Sequence, residues 1–150
     1  MQYGVDVIIG GHPHVIQKFS VLNAENGNQT LCLYSMGNTI SSQRKAIMNE
    51  DDYRGYTEDG LTISFKYIKF NNGKIKLQEV YILPTWVDVM DDGTYTIVPL
   101  EQNLIVDKWQ TRSRSEAIAS YNRTLGRIGE DYLTLRYYLG NDELKTYIED

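Results

Sequence analysis

The two histidines of the chain, His12 and His14, are its only histidines, and one proline separates them. Neutral imidazole nitrogens suit Zn, Mn, Fe and Ni, so two histidines on one loop predict half of a transition-metal site. The alternative is that both rings simply hydrogen-bond at the end of a strand. A catalytic zinc site usually needs three or more protein ligands, and the lone Cys32 lies in an apolar, strand-like run. These residues therefore predict a half-site rather than a complete one.

The segment before the histidines predicts how they are positioned. Residues 5–9 form an apolar run typical of a buried strand, and Gly10 and Gly11 follow it directly. Glycines permit backbone angles and close approaches that other residues resist, whereas Pro13 fixes its own φ and favours an extended His12. We expect a tight turn that presents both imidazoles at the carboxyl end of a buried strand, where open α/β sheets place their sites.

Two sequence blocks carry a resemblance to a known family. The blocks are GVDVIIGGHPHVIQ at residues 4–17 and LYSMGNTI at residues 33–40. Together they resemble the bacterial capsule-synthesis CapA family, which is associated with poly-γ-glutamate biosynthesis and is similar to calcineurin-like metallophosphoesterases. In that superfamily a Gly-His-x-His loop supplies two metal ligands, so the resemblance assigns His12 and His14 to a metal. Asn38 becomes a contact to the substrate or to a metal-bound water. The alternative is that Asn38 is only a turn residue beside Gly37.

The resemblance also implies what a longer parent protein would do. It implies a bacterial, metal-dependent, phosphoesterase-like hydrolase that uses a divalent metal (Mn, Zn or Fe). Residues 1–150 would be one domain and the C-terminal part of that parent. Gly37 and Asn38 are followed by Thr39 rather than histidine, so the remaining ligands are expected upstream. We expect the chain alone to be inactive and to hold no metal tightly. The competing hypothesis is a non-catalytic module that docks on the missing N-terminal half.

Composition and charge exclude several classes of function. The chain has 41% hydrophobic and 23% charged residues, as ordinary globular proteins do. Its formal net charge of −5 argues against a nucleic-acid surface. No run approaches the ~18 apolar residues of a membrane helix, and no signal peptide is visible, which leaves open a membrane-associated or cell-surface parent. One cysteine makes no internal disulfide, so Cys32 is interpreted as a small buried hydrophobe.

Turn signals predict a chain of antiparallel hairpins. Strands at 15–23 and 29–35 flank Asn26-Gly27, alternating strands at 61–67 and 75–82 flank Asn72-Gly73, and strands at 86–90 and 95–99 flank Asp91-Asp92-Gly93. Pattern shifts after residues 67 and 77 predict a bulge or a change of buried face. The polar stretch 41–60 predicts a long surface loop, in which the basic pair Arg44-Lys45 is a candidate contact for an anionic substrate.

Helices are predicted only late in the chain. Ser113 and Glu116 fit a capping box, and an apolar stripe follows at Ile118, Tyr121, Leu125 and Ile128, which Gly129 interrupts. The arginines at 112, 114, 123 and 127 are interpreted as a solvated helix face. Further helices are predicted up to residue 150, the last one capped by Asn141.

The predicted fold class is α+β. It consists mainly of antiparallel β hairpins closed by C-terminal helices, and it resembles the C-terminal half of a calcineurin-like metallophosphoesterase α/β sandwich. The apolar strands contain more hydrophobic positions than the late helices can cover. A missing half would leave such surface open, so self-association is expected.

Overall fold

A computed structural model describes residues 4–27, 29–47, 55–100 and 113–129. Within these residues lie two three-stranded sheets and one α-helix, which confirms the α+β prediction. The strands are β1 (Val7–Ile9), β2 (Phe19–Asn23), β3 (Gln29–Leu33), β4 (Asp59–Lys69), β5 (Ile75–Val89) and β6 (Tyr95–Pro99). A short 3-10 helix spans Lys45–Ile47, and the α-helix α1 spans Arg114–Ile128. The helices predicted after Gly129 lie outside the described residues.

The first sheet has the strand order β1-β3-β2. β2 and β3 form the predicted hairpin, with Gly27 at φ 83° and its N–H donating to the carbonyl of Ala24 at 3.0 Å. β1 pairs with β3 in parallel, with Ile8 opposite Cys32. Cys32 is buried, as predicted, and burial raises the pKa of its thiol, an effect that the charge of Lys18 partly offsets. The parallel pair brings the end of β1, and hence the histidine loop, beside the end of β3.

The second sheet has the order β4-β5-β6, all antiparallel. The predicted bulge is present as a register shift between Lys66 and Tyr67. The segments 75–82 and 86–90, predicted as separate strands, are parts of β5, a single strand of 15 residues that serves both hairpins. At the second turn, Asp92 accepts a hydrogen bond from the backbone N–H of Thr94 at 2.9 Å, and this lowers the pKa of its carboxyl. Turn chemistry therefore accounts for Asp92.

One apolar core joins both sheets to α1. It includes Ile16, Phe19 and Leu33 from the first half of the chain, Val80 from β5, and Ile128 from the helix. All five are at most 2% exposed. Burying such side chains contributes roughly 1.5–3 kcal/mol each. This shared core is what keeps the loops at residues 10–18 and 34–38 in a fixed relation to β4 and α1.

Helix α1 begins and ends where the sequence predicts. The Ser113 side chain accepts a hydrogen bond from the N–H of Glu116 at 3.3 Å, and Gly129 follows the last turn with φ 85°. The predicted buried stripe is wrong in part, because Ile118 is 40% exposed. The fully buried positions of the helix are Ala117, Ser120, Thr124 and Ile128. Their mostly small side chains bring the helix close to the sheet, where Ser120 bonds to a buried carboxylate.

The prediction of a buried first strand is wrong for the described residues. Ile8 and Ile9 are 41% and 46% exposed, although both are large aliphatic residues. β1 is an edge strand of its sheet, and apolar periodicity cannot tell an edge strand from a central one. The strand therefore presents apolar surface.

The polar stretch 41–60 is not simply a surface loop. Thr57, Glu58 and Asp59 are 1%, 9% and 2% exposed, and β4 begins at Asp59. The Arg44 guanidinium donates to the carbonyl of Val87 at 2.6 Å and lies over the Trp86 ring at 5.9 Å. Arg44 therefore makes internal contacts rather than forming an open anion site. Among the described residues, no helix is long and apolar enough to span a membrane.

Candidate functional site

The histidine loop has an unusual backbone. His12 has φ 88° and His14 has φ 60°, and they are the only non-glycine residues of the described segments with positive φ. Such conformations cost of order 1–3 kcal/mol each and cluster at functional sites. The expectation that Pro13 would hold His12 extended is wrong. The two residues whose imidazoles could bind a metal thus adopt backbone angles that few residues other than glycine tolerate.

Gly10, just before the loop, is held against the end of β3. Its N–H donates to the carbonyl of Leu33 at 2.7 Å, and its own carbonyl accepts from the N–H of Met36 at 3.4 Å. A Cβ on Gly10 would lie 2.1 Å from the carbonyl oxygen of Tyr34, so glycine is required there for close approach and not for a positive φ. The positive φ angles of the loop occur after this glycine, at His12 and His14.

His14 and Asn38 are brought together by these two adjoining segments. The Nδ1 atom of His14 lies 2.7 Å from the Oδ1 atom of Asn38, although 24 positions separate the residues in the sequence. The Nδ2 atom of Asn38 donates to the carbonyl of Thr57 at 2.9 Å. Asn38 is 9% exposed and Thr57 is 1% exposed, whereas both histidines are exposed residues. A buried amide therefore fixes one ring of the loop.

The hydrogen-bond partners of Asn38 define the tautomer of His14. A carbonyl accepts only, so the amide nitrogen must face Thr57 and the amide oxygen must face the imidazole. The neutral ring then carries its proton on Nδ1 and keeps its lone pair on Nε2. Metal-binding histidines are usually oriented in this way, with the second nitrogen donating to an oxygen.

A second close approach holds Asn38 against the start of β4. Gly37 and Gly60 form an isolated bridge, and Leu61 donates its N–H to the carbonyl of Met36 at 3.2 Å. A Cβ on Gly60 would lie 2.0 Å from the carbonyl oxygen of Asn38, and one on Gly37 would lie 2.5 Å from that of Asp59. Both glycines are therefore required for the chains to approach so closely.

A buried ion pair anchors this strand to α1. Arg123 donates from Nε and Nη2 to the Asp59 carboxylate at 2.9 and 2.8 Å, and Ser120 donates to the same group at 2.7 Å. The guanidinium carbon also lies 3.8 Å from the centre of the Tyr56 ring. Burial opposes the charge of Arg123, but the hydrogen bonds and charge of Asp59 outweigh it and raise the pKa of Arg123. The interpretation of Arg123 as part of a solvated face is wrong.

Sequence reasoning missed Thr57, Asp59 and Gly60 as supports of the site. Their stretch was interpreted as a surface loop because it is rich in charged residues. The partner of Asp59 lies 64 residues further along the chain, so no local pattern indicates the ion pair. The one available signal was the Asp59-Gly60 pair directly before the alternating strand.

The donor set of the loop fits a divalent transition metal only in part. Its two imidazoles are suitable ligands, and the Nε2 of His14 is the nitrogen left to bind. Within the described part of the chain, no group of three or more His, Cys, Asp or Glu residues is arranged to hold a metal ion. The residues described here therefore offer two ligands at most from this loop.

Comparison with known families identifies the segment that carries this site. Residues 1–43 match the family model described as bacterial capsule synthesis protein PGA_cap. The predicted resemblance to capsule-synthesis proteins is thereby confirmed over the stretch that contains His12, His14 and Asn38. Searches of curated proteins and of solved structures give no match to the chain. The molecule is an α+β protein whose residues 1–43 match the capsule-synthesis family model.

Proposed function

We propose that the histidine loop is half of a divalent-metal site in a capsule-synthesis protein. His12 and His14 would be ligands, and Asn38 would orient His14 and lie within reach of substrate or metal-bound water. The observation that carries the proposal is the chain of hydrogen bonds from Thr57 through Asn38 to His14, which engages Nδ1 and makes Nε2 the nitrogen proposed to bind metal. The positive φ of both histidines adds support, since such strain persists where surrounding structure enforces it.

The missing ligands would come from another segment of a longer parent chain or from a second molecule. When bound, a divalent metal would supply Lewis acidity and an activated water for phosphoester chemistry. The residues of this chain would hold the metal, and Asn38 would engage the Nδ1 side of His14 so that Nε2 is the nitrogen that binds. The hydrolase and metallophosphoesterase assignments rest on the resemblance and on this donor chemistry.

A structural or docking role is the second candidate, and the exposed β1 strand favours it. Ile8 and Ile9 of the edge strand β1 are 41% and 46% exposed, and Val5, two residues before the strand, is 43% exposed. An exposed apolar edge is a template for pairing with another strand. In this role the strand would dock on the missing half of the parent, and the histidine loop would be a scaffold feature without metal.

Metal titration separates the two roles. We expect the isolated chain to bind Zn²⁺ or Mn²⁺ weakly, because two imidazoles leave most of the coordination sphere to water. Calorimetry should show that either His12→Ala or His14→Ala abolishes this binding. The matched control is Asp92→Asn, which removes an exposed carboxylate in a hairpin turn and should leave binding unchanged.

Two outcomes would contradict the metal half-site. Stoichiometric submicromolar binding that is lost in His12→Ala would mean that the chain contributes further ligands. Equal binding by the wild type and both alanine variants would mean that the loop binds no metal, and the docking role would then be preferred.

A further inference from the structure

A cationic groove lies next to the segments that form the histidine loop. It has a volume of about 330 Å³ and is lined by Ile16, Gln17, Lys18, Tyr34 and Arg127. Three of these residues follow His14 closely in the chain, and Tyr34 directly precedes the segment that carries Asn38. Arg127 comes from the last turn of α1. The groove therefore lies where the first sheet meets the helix.

The two cations of the groove have no carboxylate partner among the described residues. The Lys18 ammonium lies 5.5 Å from the centre of the Tyr34 ring, and the Arg127 guanidinium donates only to the carbonyl of Ile16, at 3.4 Å. Arg123, one turn earlier on the same helix, instead pairs with the buried carboxylate of Asp59. The chain as a whole has a formal charge of −5. The groove is thus locally positive, although the net charge of the whole chain is negative.

We propose that this groove binds an extended ligand that carries two or more oxyanion groups, either carboxylate or phosphoryl. The planar guanidinium of Arg127 suits bidentate contacts to such groups, and Lys18 supplies a second positive charge from a different element. Because the groove is open to solvent, one anion between the exposed Lys18 and the half-buried Arg127 is held weakly. A ligand with several anions contacts both cations at once and gains affinity from the second contact.

Backbone hydrogen bonds between the segments that line the groove fix its geometry. The N–H of Gln17 donates to the carbonyl of Ser35 at 3.0 Å, and the N–H of Tyr34 donates to that of Lys18 at 3.1 Å. A Cβ on Gly55 would lie 3.3 Å from Arg127 Nη2. The backbone beneath both cations is thereby held in place before any ligand arrives, which reduces the entropy lost on binding.

NMR titration of the full chain at low salt tests this proposal with three probes: inorganic phosphate, tripolyphosphate and a hexa-aspartate peptide. We expect tripolyphosphate or hexa-aspartate to shift the backbone signals of Lys18, Tyr34 and Arg127 and to bind more tightly than phosphate. The tighter of the two identifies the source of the oxyanions. Lys18→Gln and Arg127→Gln should each weaken binding by about fivefold, as expected for charges in a groove that is open to solvent. High salt should weaken it further.

Matched variants keep the test decisive. Lys74→Gln removes an exposed lysine at the tip of the β4–β5 hairpin and should leave binding unchanged. Arg127→Lys keeps the charge but loses the planar fork, so it should weaken binding less than Arg127→Gln. Equal affinity for phosphate and both extended probes, or equal losses in Lys74→Gln and Lys18→Gln, would overturn the proposal. Metal binding in the Lys18 and Arg127 variants is expected to be unchanged, so failure of the groove is distinguishable from failure of the metal half-site.

Discussion

Arg123→Met is expected to lower the free energy of unfolding by about 3–5 kcal/mol, because it leaves the carboxylate of Asp59 buried without its cation. The side chain of Asp59 is 3% exposed and that of Arg123 is 19% exposed, so solvent screens this pair poorly. Both hydrogen bonds of the guanidinium to the carboxylate are lost, and the Ser120 hydroxyl alone remains. Chemical denaturation monitored by circular dichroism measures the change.

The control for this prediction lies on the same helix. Arg114 is exposed at the first turn of α1, and Arg114→Met should change stability by no more than about 0.5 kcal/mol. The double variant with Asp59→Asn completes a thermodynamic cycle, in which a coupling of roughly 0.5–3 kcal/mol is expected for residues in one network. If the two substitutions were additive, the ion pair would not be what joins α1 to β4.

Gly60→Ala is expected to destabilise the protein by about 1–3 kcal/mol and to separate His14 from Asn38, because the added methyl overpacks a backbone contact. The new Cβ would lie 2.0 Å from the carbonyl oxygen of Asn38 and 3.0 Å from the hydroxyl of Thr85. Neither the bridge between Gly37 and Gly60 nor the position of Asn38 can survive such a contact unchanged. Denaturation gives the loss of stability, and the NMR signals of the His14 ring report the loss of its partner.

Gly126→Ala is the control, and we expect it to have the opposite effect on stability. Gly126 lies inside α1, and a Cβ there would meet no atom within 4 Å. Because alanine favours helix over glycine by about 0.8–1 kcal/mol, this substitution should raise stability. Equal effects of Gly60→Ala and Gly126→Ala would mean that the close approach of Asn38 to β4 does not exist in solution.

The hairpins and the start of the helix could be predicted from the sequence because their signals are local. Asn26-Gly27 and Asn72-Gly73 supply the turn residues, and Ser113 supplies a cap for a helix that begins one residue later. Each of these features depends on residues within a few positions of one another. Local chemistry was therefore sufficient for most of the described strands and for α1.

What the sequence could not predict depends on distant partners. The exposure of Ile8 follows from the edge position of β1, and the burial of Asp59 follows from Arg123 far along the chain. Similarly, charge patterning placed Arg123 in solvent because patterning does not show which charges are paired. At the site, residue types indicated His12 and His14, but only the tertiary structure shows that Asn38 contacts one ring.

The protonation of the His14 ring is the measurement that tests the metal half-site most directly. In His12→Ala, His14 is the one histidine left in the chain, so long-range ¹H–¹⁵N correlation spectra of its ring need no further assignment. We expect the neutral ring to carry its proton on Nδ1 and to lose this preference when Asn38→Ala is added. In the wild type, where both proposed ligands are present, the Nε2 signal of His14 should shift when Zn²⁺ is added, and in His12→Ala it should not. A proton on Nε2 would contradict the account, because the nitrogen proposed to bind metal would then be protonated. A ring whose signals do not change in Asn38→Ala would also contradict it, because Asn38 would then not orient the ring.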